Sequence, residues 1–363
     1  MGRRYTLRRY PISIEGGPVI VSIEDLAAGA AGAPPLDRDG SPREPLVAVD
    51  LSAAASPAAV ERAARAAGDA DRIIVGVGDA GPPALVRALD LTLATTGAGR
   101  ASVTAADPGE RLAAVRAAVT ANPRAALVLR EVLRATEHLP VPAALDVESY
   151  AYSTLLGGAE FARWLASRGP RPLPPDAAEP VLLDRTGDRL HITLNRPDRR
   201  NAYGRQVRDA LVDALGVALL DDGIARIVLD GAGPAFCSGG DLAEFGTAPD
   251  LATAHHVRTR AGAGRPLHRL AGRTEVRVHG ACVGAGVELP AFAGRVVARP
   301  DAVFRLPEVA MGLIPGAGGT VSLPRRIGRH RTLYLALTGE PLGARTALAW
   351  GLADEISAAG DAG

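Results

Sequence analysis

Apolar positions along the chain alternate between short continuous runs and runs with helical spacing. Residues 46–51 and 73–77 are short and rich in Val, Ile and Leu, as buried parallel strands are. Apolar residues recur at helical spacing over 57–67 and 83–94, and the pattern is almost wholly helical from 107 to 168. This alternation predicts an α/β protein.

A proline-rich segment separates two such stretches. Residues 169–180 read GPRPLPPDAAEP, and prolines lack the amide donors that a helix or a central strand needs. We therefore predict a linker at 171–180 between a domain at 1–170 and a domain at 181–363. After the linker the pattern predicts a hairpin (181–184 with 190–194), a helix at Arg205–Leu220 and a buried strand at 227–229.

Charge and composition exclude several classes of protein. The 41 basic residues nearly cancel the 40 acidic ones, so the sequence predicts neither a nucleic-acid nor a membrane-surface partner. Every basic residue is arginine, which excludes Schiff-base lysines and the lysine of a phosphate-binding P-loop. Cys237 and Cys282 are too few for a disulfide framework, and residues 1–17 lack a hydrophobic signal core. A cytoplasmic protein is expected.

One motif in the first half is compatible with a dinucleotide. Gly76, Gly78 and Gly81 match G-x-G-x-x-G between a predicted strand and a predicted helix. The chain contains 42 glycines, and the motif follows the second strand of its segment rather than the first. A strand-to-helix turn is the favoured interpretation, and a nicotinamide-dependent oxidoreductase stays an alternative.

Three glycine-rich turns in the second half are candidates for chemistry. They read GAGPAFCSGGDL (231–242), GACVGAGVEL (280–289) and FRLPEVAMGLIPGAGGT (304–320). Glycines leave backbone N–H groups unobstructed, and a helix starting there adds its unsatisfied amides. Two such turns facing one another would stabilise a developing oxyanion. Ala285 and Glu288 are three residues apart, so a helix starting at 285 would place both on one face.

These turns, preceded by NRPDRRNAY at 195–203, resemble the enoyl-CoA hydratase/isomerase (crotonase) family over about 181–356. The resemblance implies a spiral of ββα units in the C-terminal half, with an N-terminal α/β and helical half packed on it. It also implies an acyl-CoA substrate, with coenzyme A as part of the substrate, no separate cofactor and no metal. A homotrimer or hexamer and a hydro-lyase of fatty acid metabolism would fit the family.

The resemblance also implies roles for individual residues. The backbone N–H groups of Gly240 and Ala285 would bind the thioester oxygen. Glu288 would activate water for attack at Cβ, and Glu308 would protonate Cα. Candidates for contact with coenzyme A are Arg199, Arg200, Ser238, Gly239 and Asp241, although Asp241 also fits a helix cap.

The sequence departs from the family pattern at several positions. Ala243 stands where many members carry a cation, Gly294 replaces a frequent aspartate, and Pro290 predicts a kink in the helix that starts near 285. Family members usually continue past the strand near 356 into helices that cover the site, and residues 111–168 resemble those helices. We therefore expect the N-terminal half to be a degenerate, catalytically silent crotonase-like copy whose helices cover the catalytic half.

Hydration of a 2-enoyl-CoA is the function that both glutamates favour. Double-bond isomerisation, thioester hydrolysis and cofactor-free oxygenation of aryl-acetyl thioesters are alternatives within the same fold. A catalytically silent assembly subunit is a further alternative, because Ala243 replaces the cation of many members and the sequence departs from the family pattern after about residue 356.

Overall fold

The computed structural model describes residues 20–97, 99–169 and 171–358. Residues 1–17, on which the prediction of no signal core rests, lie outside that range. The chain divides into two compact units, 1–116 and 117–363. This division differs from the predicted one, because the proline-rich segment 171–180 lies inside the second unit. Proline content sets local backbone conformation, but it does not determine which distant elements pack together.

The first unit is built on a five-stranded parallel sheet in which neighbours in sequence are neighbours in space. Its strands are β1 (Ile20–Ser22), β2 (Leu46–Asp50), β3 (Ile73–Val77), β4 (Leu91–Ala94) and β5 (Val103–Thr104). Its helices are α1 (Ile23–Ala27), α2 (Pro57–Asp69) and α3 (Pro83–Ala88), and α4 (Pro108–Ala121) spans the boundary of the unit. The strands predicted at 46–51 and 73–77 are confirmed.

The helix predicted over 83–94 is wrong beyond residue 88. Residues 91–94 form β4, and all four are buried. The Asp90 carboxylate accepts the Ile74 N–H at 2.8 Å and so fixes the chain at the start of this strand. An apolar run this short does not distinguish a buried strand from a continuing helix.

The Gly76–Gly81 loop has packing reasons for its glycines. A Cβ on Gly76 would lie 2.6 Å from Leu89 Cδ1, and Gly78 has φ +126°. Asp79 within the loop accepts the N–H groups of Thr95 and Thr96 at 2.7 and 2.9 Å, which ties the loop to the end of β4. These contacts agree with the interpretation as a strand-to-helix turn.

The second unit contains a six-stranded and a three-stranded sheet, in the orders β14-β11-β9-β8-β7-β6 and β10-β12-β13. β6 and β7 form the predicted hairpin, and the pairs from β7 to β14 in the larger sheet are parallel. The strands are β6 (Val181–Thr186), β7 (Arg189–Leu194), β8 (Arg226–Gly231), β9 (Thr274–Val278), β10 (Ala281–Val283), β11 (Arg295–Ala298), β12 (Val303–Arg305), β13 (Leu342–Gly343) and β14 (Glu355–Ile356).

Helices cover these sheets, and the α/β class is confirmed. They are α5 (Pro123–Ala135), α6 (Val141–Leu156), α7 (Ala159–Arg168), α8 (Arg205–Leu220), α9 (Leu251–Arg260), α10 (Gly264–Arg269), α11 (Ala285–Glu288), α12 (Gly319–Ile327), α13 (Arg329–Thr338) and α14 (Ala344–Trp350). The bounds of α8 agree with the prediction.

A buried carboxylate joins helix α7 to helix α5, and helix α6 packs on later elements. Both Glu160 oxygens accept N–H groups at the start of α5, from Arg124 and Ala125 at 2.9 Å each, which satisfies amides that a helix N-terminus leaves unbonded. Helix α6 is joined to later elements, because Arg265 donates to Asp146 at 2.7 Å. The helices that resemble the family's covering helices therefore belong to the unit that carries the glycine-rich turns.

Among the described residues, no single helix has the length and apolar composition needed to cross a membrane. The pair α4 and α5, bent by 107°, meets the length and composition test when the two helices are taken together.

Candidate active site

The first two glycine-rich turns run side by side in the second unit. The Cys237 N–H donates to Ala281 O at 3.3 Å, and the Val283 N–H donates to Cys237 O at 2.9 Å. A Cβ on Gly286 would lie 2.3 Å from Cys237 O, so only glycine allows this close approach. Cys237 and Cys282 face each other in a parallel bridge between the two turns. Gly240 and Ala285 each lie three residues after one of these cysteines, so the two predicted donors come to the same end of the site.

The amides of Gly240 and Ala285 are available to a ligand. Within the described part of the unit, neither N–H donates a hydrogen bond to protein, and both residues line the same cavity. Ala285 is the first residue of α11, where a helix leaves its N–H groups unsatisfied. The preceding Gly284 has φ +49° and turns the chain into that helix. Unbonded N–H groups on one cavity are a precondition for an oxyanion hole.

Glu288 lies at the end of α11 and is buried. Its Oε2 accepts the Ala317 N–H at 2.7 Å and the Gly319 N–H at 2.8 Å, both from the third glycine-rich turn. Two backbone donors fix the carboxylate and favour its ionised form. The predicted face shared by Ala285 and Glu288 is confirmed, because the two residues bound a single helical turn.

Glu308 faces the same space from the segment after β12. A Cβ built on Gly284 would lie 2.5 Å from Glu308 Oε1 and 3.8 Å from Glu288 Oε1, so the two carboxylates flank one position. Glu308 Oε2 is buried and has no hydrogen-bond partner in the described protein. Such an oxygen is stabilised by carrying a proton.

Burial raises the pKa of both carboxyl groups. It raises the pKa of Glu308 to about 8, and for Glu288 the charges of Glu308 and Glu148 add to burial and raise the pKa well above its ordinary value. The two amides on Glu288 act in the opposite direction. Two close buried carboxyl groups titrate as a pair, so near neutral pH they are not both ionised.

A third buried carboxylate, Glu148 on α6, was missed by the sequence analysis. It accepts the Gly318 N–H at 2.8 Å, the Thr320 N–H at 2.9 Å and the Thr320 hydroxyl at 2.7 Å. Burial raises its pKa to about 7. Glu148 binds the amides of residues 318 and 320, and Glu288 binds those of residues 317 and 319 in the same turn. Glu148 is therefore a positioning residue for Glu288. The available signal was an acid on the apolar face of α6, three residues after Leu145.

The cavity between these elements has a volume of about 450 Å³. Helices α6 and α7 form one wall of it through Leu145, Tyr152, Phe161 and Leu165. Phe161 packs against Phe245, which follows the first turn, with ring centroids 6.5 Å apart. The expected covering of the site by helices from the first half of the chain is therefore seen for α6 and α7.

The residues predicted to contact coenzyme A have mixed surroundings. Arg199 forms a two-pronged ion pair with the buried Asp241, with nitrogen–oxygen distances of 2.8 and 3.0 Å, while Arg200 is exposed at φ +52°. The Ser238 N–H donates to Arg200 O, and a Cβ built on Gly239, which has φ +90°, would lie 3.0 Å from Val283 O of the second turn. Arg199 is thus committed to a protein carboxylate.

Other arginines lie at the cavity itself. Arg205 and Arg208, in the first turn of α8, line it, together with Arg258 and Arg265. Arg208 also pairs with Asp209 at 2.7 Å, whereas Arg205 is exposed, so Arg205 fits contact with a coenzyme A phosphate better than Arg199 does.

Two local expectations are corrected. Asp241 does not cap a following helix; it accepts the Ala243 N–H at 3.0 Å within a turn and binds Arg199. Pro290 does not kink a continuing helix, because α11 ends at Glu288 and Pro290 opens a separate 3₁₀ turn. A proline ring favours the first position of such a turn.

A family model for enoyl-CoA hydratase/isomerase matches residues 188–362. The chain is 37% identical to a 1,2-epoxyphenylacetyl-CoA isomerase of Escherichia coli (45% of this chain, 64% of that protein). It is 35% identical to a 2,3-dehydroadipyl-CoA hydratase of the same organism (46% and 65%) and 32% identical to a probable enoyl-CoA hydratase of Mycobacterium bovis (50% and 70%). The chain belongs to the enoyl-CoA hydratase/isomerase family, which confirms the resemblance for its C-terminal half.

The matches leave part of each relative uncovered. The chain spans slightly less than two thirds of the length of the two Escherichia coli proteins. Among solved structures, a carnitinyl-CoA dehydratase from Mycobacterium avium is 39% identical, with a TM-score of 0.46, over 50% of this chain and 72% of that one.

Replacing Gly284 by alanine is expected to lower activity strongly. The new Cβ would overlap Glu308 Oε1, and φ +49° disfavours any side chain, at a cost of about 1–3 kcal/mol. We expect a lower melting temperature together with a fall in kcat of about 100-fold, because the Ala285 amide and Glu308 both move. Both are measured on purified protein.

The matched control is Gly216→Ala in α8, where a Cβ would meet nothing within 4 Å and φ is helical. It should keep full activity and gain slightly in stability. A fully active and stable Gly284→Ala variant would show that the turn is not as tight as described.

Proposed function

We propose that this protein hydrates the conjugated double bond of a 2-enoyl-CoA thioester. The observation that carries the proposal is the meeting of two uncommitted backbone amides with two carboxyl groups in one cavity. Addition of water to an enoyl thioester needs stabilisation of an enolate and two proton transfers, and these four groups supply both.

The amides of Gly240 and Ala285 bind the thioester oxygen and stabilise the negative charge that develops on it. Each such donor contributes about 2.7–4 kcal/mol to lowering a barrier of this kind. The ionised Glu288 takes a proton from water, whose oxygen forms the bond to Cβ. The protonated Glu308 gives its proton to Cα, and the double bond becomes a single bond.

The proton balance closes within the pair. After addition, Glu288 carries the proton taken from water and Glu308 is ionised, and transfer of that proton from Glu288 to Glu308 restores the starting state. The shared position beside Gly284 supports such an exchange. The backbone donors on Glu288 support the assignment of the base, and the unpartnered oxygen of Glu308 supports that of the acid.

Coenzyme A would lie toward α8 in this proposal. Arg205 and Arg208 line the cavity there and offer guanidinium groups, which suit phosphate oxygens. The acyl group would then extend along the wall formed by α6 and α7.

The test is the loss of enoyl-thioester absorbance on adding the purified protein to short, long and aromatic 2-enoyl-CoAs. Formation of the 3-hydroxyacyl product, with oxygen from labelled water, is the expected result. Absence of hydration across the whole panel would overturn the proposal.

Double-bond isomerisation is a second candidate, favoured by the family model, whose description covers enoyl-CoA isomerases as well as hydratases. The same two carboxyl groups would move a proton between Cα and Cγ instead of activating water. Supplying a 3-enoyl-CoA distinguishes the two, because isomerisation yields the 2-enoyl product without taking oxygen from water.

A further inference from the structure

A positively charged side chain stands in the cavity wall without a carboxylate partner. Arg258, on α9, is half-buried and lines the cavity. Its Nε donates to the Ser149 hydroxyl at 3.1 Å and its Nη2 donates to Ser149 O at 3.3 Å and to the Ser153 hydroxyl. Its guanidinium carbon lies 4.6 Å from the centre of the Tyr152 ring. All of these contacts are with neutral groups of α6.

The charge is held rigidly but is not neutralised by a direct ion pair. In the part of the unit that the structure describes, no Asp or Glu oxygen lies within 4 Å of Arg258, whereas Arg260 and Arg265 nearby both reach Asp146. Burial lowers the pKa of Arg258, and the charges of Tyr152 and Glu148 oppose this shift. A desolvated cation without a counter-ion is costly unless a ligand supplies the negative charge.

Arg258 lies on the acid–base side of the cavity. A Cβ on Gly316 would lie 2.3 Å from the ring of its partner Tyr152, and the next residue, Ala317, donates its N–H to Glu288. The Tyr152 ring therefore lies between Arg258 and the turn that holds Glu288. The arginines of α8 lie in the first turn of a different helix. A chain that runs from the thioester past Cβ along α6 would next meet Arg258.

We propose that Arg258 selects acyl groups that end in a carboxylate, so that the preferred substrates are short-chain enedioyl-CoA thioesters. This inference rests on the proposed hydration and names its substrate class. Arg258 would bind the terminal carboxylate through the guanidinium edge that the serines leave open, while Tyr152 and the serines hold the group in place.

The test compares acyl groups of equal length that differ in the terminal charge. Calorimetry measures binding of the saturated adipyl-CoA and hexanoyl-CoA, which cannot be hydrated. Kinetics then compares 2,3-dehydroadipyl-CoA with 2-hexenoyl-CoA. We expect the wild-type protein to favour the carboxylate-bearing member of each pair by about 30-fold or more.

Three variants locate the effect. Arg258→Gln should abolish the preference by weakening only the carboxylate-bearing ligands, and Arg258→Lys should keep part of it. Arg260→Gln removes an exposed charge from the same helix and should change neither ligand pair. Thermal unfolding confirms that each variant is folded.

The outcomes separate the two proposals. Equal binding of adipyl-CoA and hexanoyl-CoA to the wild-type protein would overturn the role of Arg258. An equal loss of affinity for both ligands in Arg258→Gln would also overturn it, because Arg258 would then act only as a counter-ion of the buried carboxyl groups. A binding preference without hydration of either enoyl-CoA would support the carboxylate site and reject the proposed reaction. Hydration without a binding preference would support the proposed reaction and reject the carboxylate site.

Discussion

Replacing Glu308 by glutamine is expected to lower kcat for hydration of a 2-enoyl-CoA by about 10³-fold, while KM changes little. Glutamine keeps the size of the side chain but has no proton to give to Cα. The binding amides of Gly240 and Ala285 are untouched, which is why the effect should appear in kcat. Steady-state kinetics on the wild-type protein and the variant measures both constants.

The same residue sets an upper limit to the pH range of activity. Burial raises the pKa of Glu308 to about 8, and the form that acts as the acid is the protonated one. Activity should therefore be retained below pH 8 and fall as the pH rises through about 8. At lower pH it should fall again when Glu288 also takes a proton. In Glu308→Gln the residual rate should lose the upper limb.

Glu355→Gln provides the matched control, because Glu355 is an exposed carboxylate on β14 that pairs with Arg295. It should leave kcat and the pH profile unchanged. A Glu308→Gln variant that retains a rate within a few-fold of the wild type would remove Glu308 from the reaction.

The parts of the site that sequence could predict are those set by short spacing. Ala285 and Glu288 lie within one helical turn, so their shared face follows from helix geometry alone. The two glycine-rich turns were also predictable, because a close approach such as that of Gly286 to Cys237 O requires glycine at fixed positions.

The parts that could not be predicted depend on contacts between distant segments. Glu148 meets Gly318 and Thr320 across 170 and 172 residues of sequence, and Arg258 meets Ser149 across 109. No local pattern encodes these pairings. The ion pair between Arg199 and Asp241 also joins distant segments. By itself Arg199 fits contact with a phosphate and Asp241 fits a helix cap, so the sequence does not predict that they bind each other.

The division of the chain shows the same limit on a larger scale. The proline-rich segment predicted a boundary at 171–180, but the covering helices before it pack with the catalytic elements after it. Whether residues 1–116 derive from a second crotonase-like copy stays a prediction, because the family model begins at residue 188.

Truncation should reveal this organisation through a second large effect. A fragment of residues 107–363 keeps α4 with its Asp107 cap and every residue that lines the cavity. We expect it to fold and to retain most of the hydration activity. A fragment of residues 181–363, which starts after the predicted linker, should lose activity by about 100-fold or more and unfold without a sharp transition.

The reason lies in what the shorter fragment lacks. It loses Glu148, so the Gly318 and Thr320 amides of the third turn lose the acceptor that fixes them. It also loses Phe161, which closes the cavity against Phe245. Glu148→Gln in the full chain separates the loss of the Glu148 acceptor from the loss of the cavity wall, because it weakens the third turn while α6 and α7 stay in place. A stable and fully active 181–363 fragment would show that helices α5 to α7 are dispensable, and the role of Glu148 in positioning Glu288 would then be rejected.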